Sequence, residues 1–405
     1  MSVGAQGINA YDVGIVGAGP AGCLAATDLA RQGHSVVLFE EHGSVGSPVD
    51  CSGVIGTEAF DRLDLPRGCI CDRLEQLEFV SPSGQRLAFA PGRVLAYIVD
   101  RAMFDQSLAE RACAAGAALW TSTSVLSVAR DARGVRVTVR RGGEPEVVTV
   151  RAIVLASGPR YRFQQQLGLG VPSRYLKTVQ AEVQTTEAGR TRIFLGSRIA
   201  PGSFAWWLPI RHGTGVRVKI GVSATSGSRA AFRAFIASLR ETGSLGPEPV
   251  TARGWMIPIG ALPKTSGERV LAVGDAAGQT KPTTGGGLYY GLLCARLAAE
   301  VLGAALRSDR LGAGGLAEYE RRWRAVLGRE LGSAQRFRRI YERLSDADID
   351  RLFEFAAQDG IMRMLEEHAN FDWHRRMLVQ VALRFPLSRL LVRALRGEPL
   401  AEYAR

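Results

Sequence analysis

The hydrophobic pattern changes period along the chain. Residues Asp12 to Val16 (DVGIV) form a short, nearly unbroken apolar run, as expected of a strand buried on both faces. After Gly17-Ala-Gly-Pro-Ala-Gly22 the spacing turns helical through CLAATDLARQG, with Gly33 as the expected C-cap, and a second apolar strand from Ser35 to Phe39 ends at Glu40. This is a βαβ unit opened by a glycine-rich turn. Far downstream, Arg269 to Val273 again reads as a buried strand, and a long Ala/Leu-rich helix is predicted from Gly285 to about Leu306. Between these pieces, VRVTVRR (135–141) and VRVKIGV (216–222) alternate with the period of half-buried strands and predict a β-rich insertion serving as a substrate platform. After Gly315 apolar positions fall three and four apart through Trp323, Phe337, Ile340, Leu352 and Phe355, predicting a helical C-terminal region.

A chain of 405 residues with 46% hydrophobic and 22% charged residues can bury a sizeable core without disulfides. Its net charge of +12 is carried almost wholly by Arg, since Lys occurs only at 177, 219, 264 and 281. Such a charge suits a phosphate-bearing partner and equally a GC-rich genome. No aromatic nucleic-acid signature accompanies it, which argues against nucleic-acid binding. The six cysteines lack zinc or disulfide-framework spacing, so a reducing cytoplasm fits. Cys69 and Cys71 read as structural. His368 and His374, although near Glu366 and Glu367, lack a metal-ligand spacing and read as surface-helix residues; no metal site is expected. The first eleven residues do not resemble a signal peptide, and no uncharged apolar run approaches the ~18 residues that span a bilayer. A soluble protein, or one attached to the inner membrane surface, is expected.

GxGxxG alone is weak evidence. Here it lies between a predicted strand and a predicted helix, with Glu40 following 18 positions after its last glycine, which makes it a dinucleotide-binding signature. Gly17 permits the tight turn, Gly19 lets the backbone approach a pyrophosphate, and Gly22 allows close helix packing. The helix N-terminus supplies amides and a favourable dipole, and Glu40 accepts hydrogen bonds from a ribose.

Two further blocks, ERVLAVGDAAGQTKPTTGGGLYYGL (268–292) and EEHGSVGSPVDCSG (40–53), make the sequence resemble the geranylgeranyl reductase family of flavoproteins, within the larger group sharing the para-hydroxybenzoate hydroxylase fold. The resemblance covers most of residues 11–306. It implies an α/β fold: an FAD-binding Rossmann-type domain from 11–75, 98–170 and 265–310, an interleaved β-rich substrate domain from 76–97 and 171–264, and the helical region 311–405. It implies that Gly274 and Asp275 match a GD motif whose aspartate bonds the ribityl chain of FAD. Thr283, Gly285, Gly286 and Gly287 match the turn passing the flavin ring, where bulky side chains would collide with the cofactor. Arg101 matches a cofactor-contacting arginine, and Cys51 a cysteine beside the flavin. FAWWLP (204–209) is similar to an aromatic motif lining the substrate side, which makes Trp206 a pocket candidate and, with Cys51, a candidate for the catalytic centre. Tyr289 and Tyr290 are open between pocket and packing roles.

Flavin-dependent halogenases carry a related aromatic motif, but their early lysine is missing, since no Lys precedes Lys177. Ser157 stands where relatives have the aspartate of a DG motif, which leaves NAD(P)H and reduced ferredoxin both open as electron donors. The leading expectation is reduction of isolated double bonds in an isoprenoid or other apolar substrate; a flavin monooxygenase of the same fold and an electron-transfer flavoprotein remain as alternatives. Between Asp372 and Glu398 six arginines (Arg375, Arg376, Arg384, Arg389, Arg393, Arg396) and no acid share a helical pattern with Leu387, Leu390, Leu391 and Leu395, a pattern open between a packed helix and one lying on an anionic membrane surface.

Overall fold

A computed structural model describes residues 10–131, 134–185, 187, 189–212, 215–358 and 360–384. The expected βαβ unit is present: strand Ala10–Val16, helix Pro20–Arg31 and strand Val36–Phe39. The helix begins three residues earlier than its apolar pattern suggests, because Pro20 is well suited to its first turn. It is capped at Gln32, and Gly33 takes the left-handed conformation just beyond it, with φ +86°. Strand Ala10–Val16 pairs in parallel with Val36–Phe39 on one side and Glu146–Leu155 on the other. Ala118–Trp120 and Val270–Ala272 extend the parallel order outward.

The segment 135–141 departs from the substrate-platform reading of its alternation, although the resemblance placed it within the FAD-binding stretch 98–170. Strand Gly134–Arg140 pairs antiparallel with Glu146–Leu155 and Ser124–Asp131, so it extends the nucleotide sheet rather than a substrate platform. Its alternation reports a half-buried strand and carries no information about which sheet owns it. Strand Gly215–Ala224 does belong to a second sheet of seven strands, in the order Arg253–Pro258, Tyr175–Thr185, Gly215–Ala224, Phe204–His212, Thr191–Leu195, Leu77–Val80, Arg86–Phe89. One face of this sheet packs Trp207, Ile220 and Val222 against Phe232 and Phe235 of helix Ser228–Glu241. The alternate residues, Phe204, Trp206 and Leu208, face a cavity.

Helix Leu288–Arg307 lies against Pro20–Arg31 through small residues, with Cys23, Ala25, Ala26, Ala295, Ala298 and Ala299 in one core. Among the described residues it is the one helix long and apolar enough to cross a membrane, but it carries Arg296 and Glu300 and most of it is buried in this core. Helices Ala313–Tyr341, Asp346–Ala356, Ile361–His368 and Arg375–Arg384 follow and contribute the remaining cavity walls. The basic pattern read from Leu387 to Arg396 lies outside the described residues.

Backbone approaches backbone closely at the first turn. A Cβ on Gly22 would lie 2.1 Å from the Gly17 carbonyl oxygen, whereas one on Gly33 would meet nothing within 4 Å. Gly22→Ala should therefore destabilise the fold by about 1–3 kcal/mol through overpacking, and Gly33→Ala by only about 1 kcal/mol through its positive φ. Urea unfolding of the two variants distinguishes these costs.

Candidate functional site

The carboxyl ends of the parallel strands open onto one continuous cavity of about 1250 Å³. Its polar end is lined by Gly17, Gly19, Glu40, Arg101, Asp275 and the turn Thr283–Gly287, with Cys51 at its side. The apolar end runs between the second sheet and the C-terminal helices, past Trp206, Leu208, Ile257, Phe337, Leu352 and Phe371. Single-ligand pockets occupy about 300–1000 Å³, so this space admits a cofactor and an apolar chain together.

The glycine-rich turn is a cradle with an open centre. Gly17 has φ +98°, and a Cβ there would sit 2.6 Å from the Ala156 carbonyl oxygen. A Cβ on Gly19 would meet nothing within 4 Å, so the backbone at the start of the helix faces open space, as close approach of a pyrophosphate requires. Glu40 stands at the end of its strand. Its Oε2 accepts from the Ala18 amide at 3.0 Å, and its Oε1 from the His42 amide at 2.9 Å and lies 2.7 Å from His42 Nδ1. One carboxylate thus ties the cradle to the second strand, and Oε2 keeps a lone pair for a ribose hydroxyl.

Asp275 is the second residue of a 3-10 turn, Gly274–Ala277. It faces the cavity, and burial pushes its carboxyl up to about 6 against the opposing pull of Arg101. Arg101 opens helix Arg101–Ala114, which Asp100 caps by accepting from the Met103 amide. Its guanidinium is held by both oxygens of Asp105, at 2.9 and 2.8 Å. Burial works against the Arg101 charge, but Asp105 and Cys51 outweigh it and keep the group firmly protonated. Cys51 itself is half-buried, and its Sγ accepts from the Gly53 amide at 3.4 Å.

The turn Thr283–Gly287 requires glycine for a reason additional to the one expected. A Cβ on Gly285 would meet Ile257 at 2.9 Å, one on Gly286 would meet Lys281 at 2.7 Å, and one on Gly287 would meet Asp275 at 2.6 Å. The protein's own side chains already demand these glycines, before any cofactor is considered.

Tyr289 and Tyr290 do not line the cavity. Tyr290 donates to the Asp372 carbonyl at 2.6 Å and Tyr289 to Glu58 at 2.7 Å, with Trp373 packed against both rings. Their role is to hold the segment 370–374. His374 likewise is not on a helix surface: it is buried, 8% exposed, just before helix Arg375–Arg384. Glu330 accepts from the His374 and Arg375 amides and turns the imidazole inward, where Nδ1 lies 2.6 Å from Thr283 Oγ1. Sequence reasoning also missed the buried pair Lys281–Asp372, at 2.8 Å. A signal was available, since Lys281 is one of only four lysines in an arginine-rich chain.

Residues 15–66 match the family model for an NAD(P)-binding Rossmann-like domain, and residues 234–367 that for lycopene cyclase protein. The digeranylgeranylglycerophospholipid reductase of Methanocaldococcus jannaschii is 29% identical over 366 residues, covering 87% of this chain and 92% of that protein. Digeranylgeranylglycerophospholipid reductase 2 of Methanothermobacter thermautotrophicus is 30% identical over 351 residues, covering 84% and 90%. Among solved structures, a geranylgeranyl bacteriochlorophyll reductase-like protein from Thermoplasma acidophilum shares the fold with a TM-score of 0.84 at 22% identity, over 96% of this chain and 100% of that one.

The raised Asp275 carboxyl makes a signed pH prediction. A native value near 6 against 3.8 unfolded means that the cofactor-free fold loses stability as pH rises from about 4 to 6, by up to about 3 kcal/mol. Asp275→Asn should remove that loss, stabilising the cofactor-free protein at pH 7–8 but not near pH 4, while weakening cofactor retention. Thermal unfolding across this pH range checks the sign.

Proposed function

The chain belongs to the geranylgeranyl reductase family of FAD-dependent oxidoreductases, and on that premise we propose that it saturates isolated double bonds of a polyprenyl chain carried by a lipid, quinone or terpenoid. The observation carrying this reading is the single cavity with a glycine-cradled polar end and a long apolar end. An unactivated alkene offers no polar handle, so catalysis depends on holding it in register and excluding water.

FAD suits the polar end on the structure's own terms: open space at Gly19, a free lone pair on Glu40, and a carboxyl on Asp275 whose desolvation a hydroxyl partner would relieve. Gly17, Gly19 and Gly22 would shape its pyrophosphate site, Glu40 its adenosine ribose site, and Arg101, Gly274, Asp275 and Thr283–Gly287 the flavin half. When bound and reduced it supplies a hydride equivalent to one carbon of the double bond, the other carbon taking a proton. Trp206 forms a wall for the chain. Its ring lies flat over Gly221, where any Cβ would come within 2.1 Å of it, so its orientation is fixed by the absence of a side chain on the neighbouring strand. Cys51, beside Arg101, lines the same cavity.

Substrate entry is proposed from an anionic membrane surface. Phe337 and Val379 line the cavity and are 39% and 40% exposed, and the exposed Arg336 lines it beside them, an apolar opening with a basic rim. Flotation with anionic vesicles should recover the full chain and lose most of a Phe337→Glu/Val379→Glu variant; equal recovery places delivery elsewhere.

The reaction class is decided without air. Protein reduced chemically with dithionite and mixed anaerobically with a geranylgeranyl lipid or polyprenyl quinone should give products heavier by two hydrogens per saturated bond. Trp206→Ala should lower kcat/KM about 10- to 100-fold. No anaerobic turnover, followed by a product heavier by one oxygen on admitting air, would establish a monooxygenase instead; inertness under both conditions would favour electron transfer.

A further inference from the structure

One buried polar cluster joins Thr283 of the cofactor end to residues with no part in the chemistry described so far, and Thr283, Lys281 and His374 line the cavity. Residues 369–374 form no regular element between helices Ile361–His368 and Arg375–Arg384, so their place is set by side-chain bonds. His374 Nε2 lies 2.9 Å from the Phe371 carbonyl oxygen, which can only accept. Nε2 therefore carries the proton, and Nδ1 must accept from the Thr283 hydroxyl at 2.6 Å. Burial, with Lys281 nearby, lowers the imidazole to about 3, consistent with this neutral tautomer. Lys281 donates to Asp372 at 2.8 Å and to the Phe371 carbonyl at 2.9 Å, its ammonium 4.3 Å from the centre of the Phe371 ring. Both charged side chains are almost fully buried, 5% and 3% exposed.

We propose that Thr283, His374 and the Lys281–Asp372 pair form a latch joining the glycine-rich turn to the apolar wall, so that each end of the cavity binds its ligand more tightly when the other is filled. The proposal rests on the reading of FAD at that turn. The geometry supports coupling in three ways. Thr283, Lys281, Phe371 and His374 all line the cavity, Thr283 and Lys281 at the turn and Phe371 and His374 on the wall that continues into Met377 and Leu378. Glycines at 56 and 286 make room for the latch, since a Cβ on Gly56 would lie 1.9 Å from Asp372 Oδ2 and one on Gly286 would lie 2.7 Å from Lys281 Cε. Separating the pair would leave a buried charge uncompensated, so under this proposal the segment is either docked with the pair intact or undocked with both charges in water.

The test measures FAD affinity of the full chain by flavin fluorescence, with and without a saturating C20 prenyl alcohol. Wild type should bind FAD about 5- to 10-fold more tightly with the alcohol present. Thr283→Val, nearly isosteric, and His374→Leu should each bring that ratio close to one, and the double variant should add nothing further. His374→Asn, which offers a carbonyl near the position of Nδ1, should recover part of the coupling. Equal FAD affinity with and without the alcohol in wild type overturns the latch, as does a His374→Leu protein that melts lower but keeps the full ratio. Wild type that binds no FAD under either condition overturns the reading beneath it.

Discussion

The polar half of the cavity depends on how closely helix Pro20–Arg31 approaches the strand before it. With Gly22 against the Gly17 carbonyl and Gly17 against Ala156, three backbone segments meet with no side chain between them. That contact aims the first turn of the helix at the open space beside Gly19. The strands ending at Val16, Phe39, Leu155 and Ala272 run parallel, so their carboxyl ends open on the same edge, and a ligand site forms in the crevice there. The approach propagates outward. Helix Leu288–Arg307 packs on the first helix through alanines, and its Gly291 comes so near Gly274 that a Cβ would lie 3.1 Å from the Gly274 Cα. The turn Thr283–Gly287 precedes that helix directly, so its position relative to the cradle is inherited from the same packing.

The apolar half is built by strand alternation. Trp206 and Trp207 are adjacent in sequence and point to opposite faces: Trp207 is fully buried toward helix Ser228–Glu241, while Trp206 walls the cavity. A one-residue slip would exchange them, and Gly221 opposes that slip, because on the partner strand it alone leaves room for the Trp206 ring. The opposite wall comes from helices more than a hundred residues later in the chain. Helix Ala313–Tyr341 packs Leu316, Trp323 and Leu327 into the main core and turns Phe337 and Ile340 to the cavity, which leaves a mostly apolar space whose buried polar exceptions include Trp206 Nε1 and the hydroxyls of Ser203 and Ser223.

What could be read from the sequence divides along this line. The cradle was legible because strand, glycine spacing, helix and Glu40 lie within thirty residues and each needs its own residue type for a local reason. The alternation at 134–140 and 215–224 made both legible as strands, but only the family resemblance put them in different domains, since period-two alternation records one buried face and nothing of the pairing partner. The glycines at 285–287 were legible as necessary, but their protein neighbours were not: the atoms excluding their Cβ groups belong to Ile257, Lys281 and Asp275, two of which are close in sequence but face the turn only after it folds back. His374 was misread because its burial comes from Glu330, 44 positions away, which caps the following helix and turns the ring inward.

The same folding-back explains why a lysine stands at 281 in a chain whose basic residues are mostly arginine. The space beneath Gly286 is narrow enough that a methyl group there would collide with the Lys281 stem, and the charge must end between the Phe371 carbonyl and Asp372 with an aromatic ring against it. A compact ammonium on a thin alkyl stem fits that channel; a planar guanidinium, with five donors to satisfy, does not. Burying the pair carries a desolvation penalty that well-packed apolar residues would avoid, so its contribution is positional rather than stabilising. It fixes where a segment without regular structure must lie, and that segment is the piece of wall that faces the cofactor end and the chain end at once.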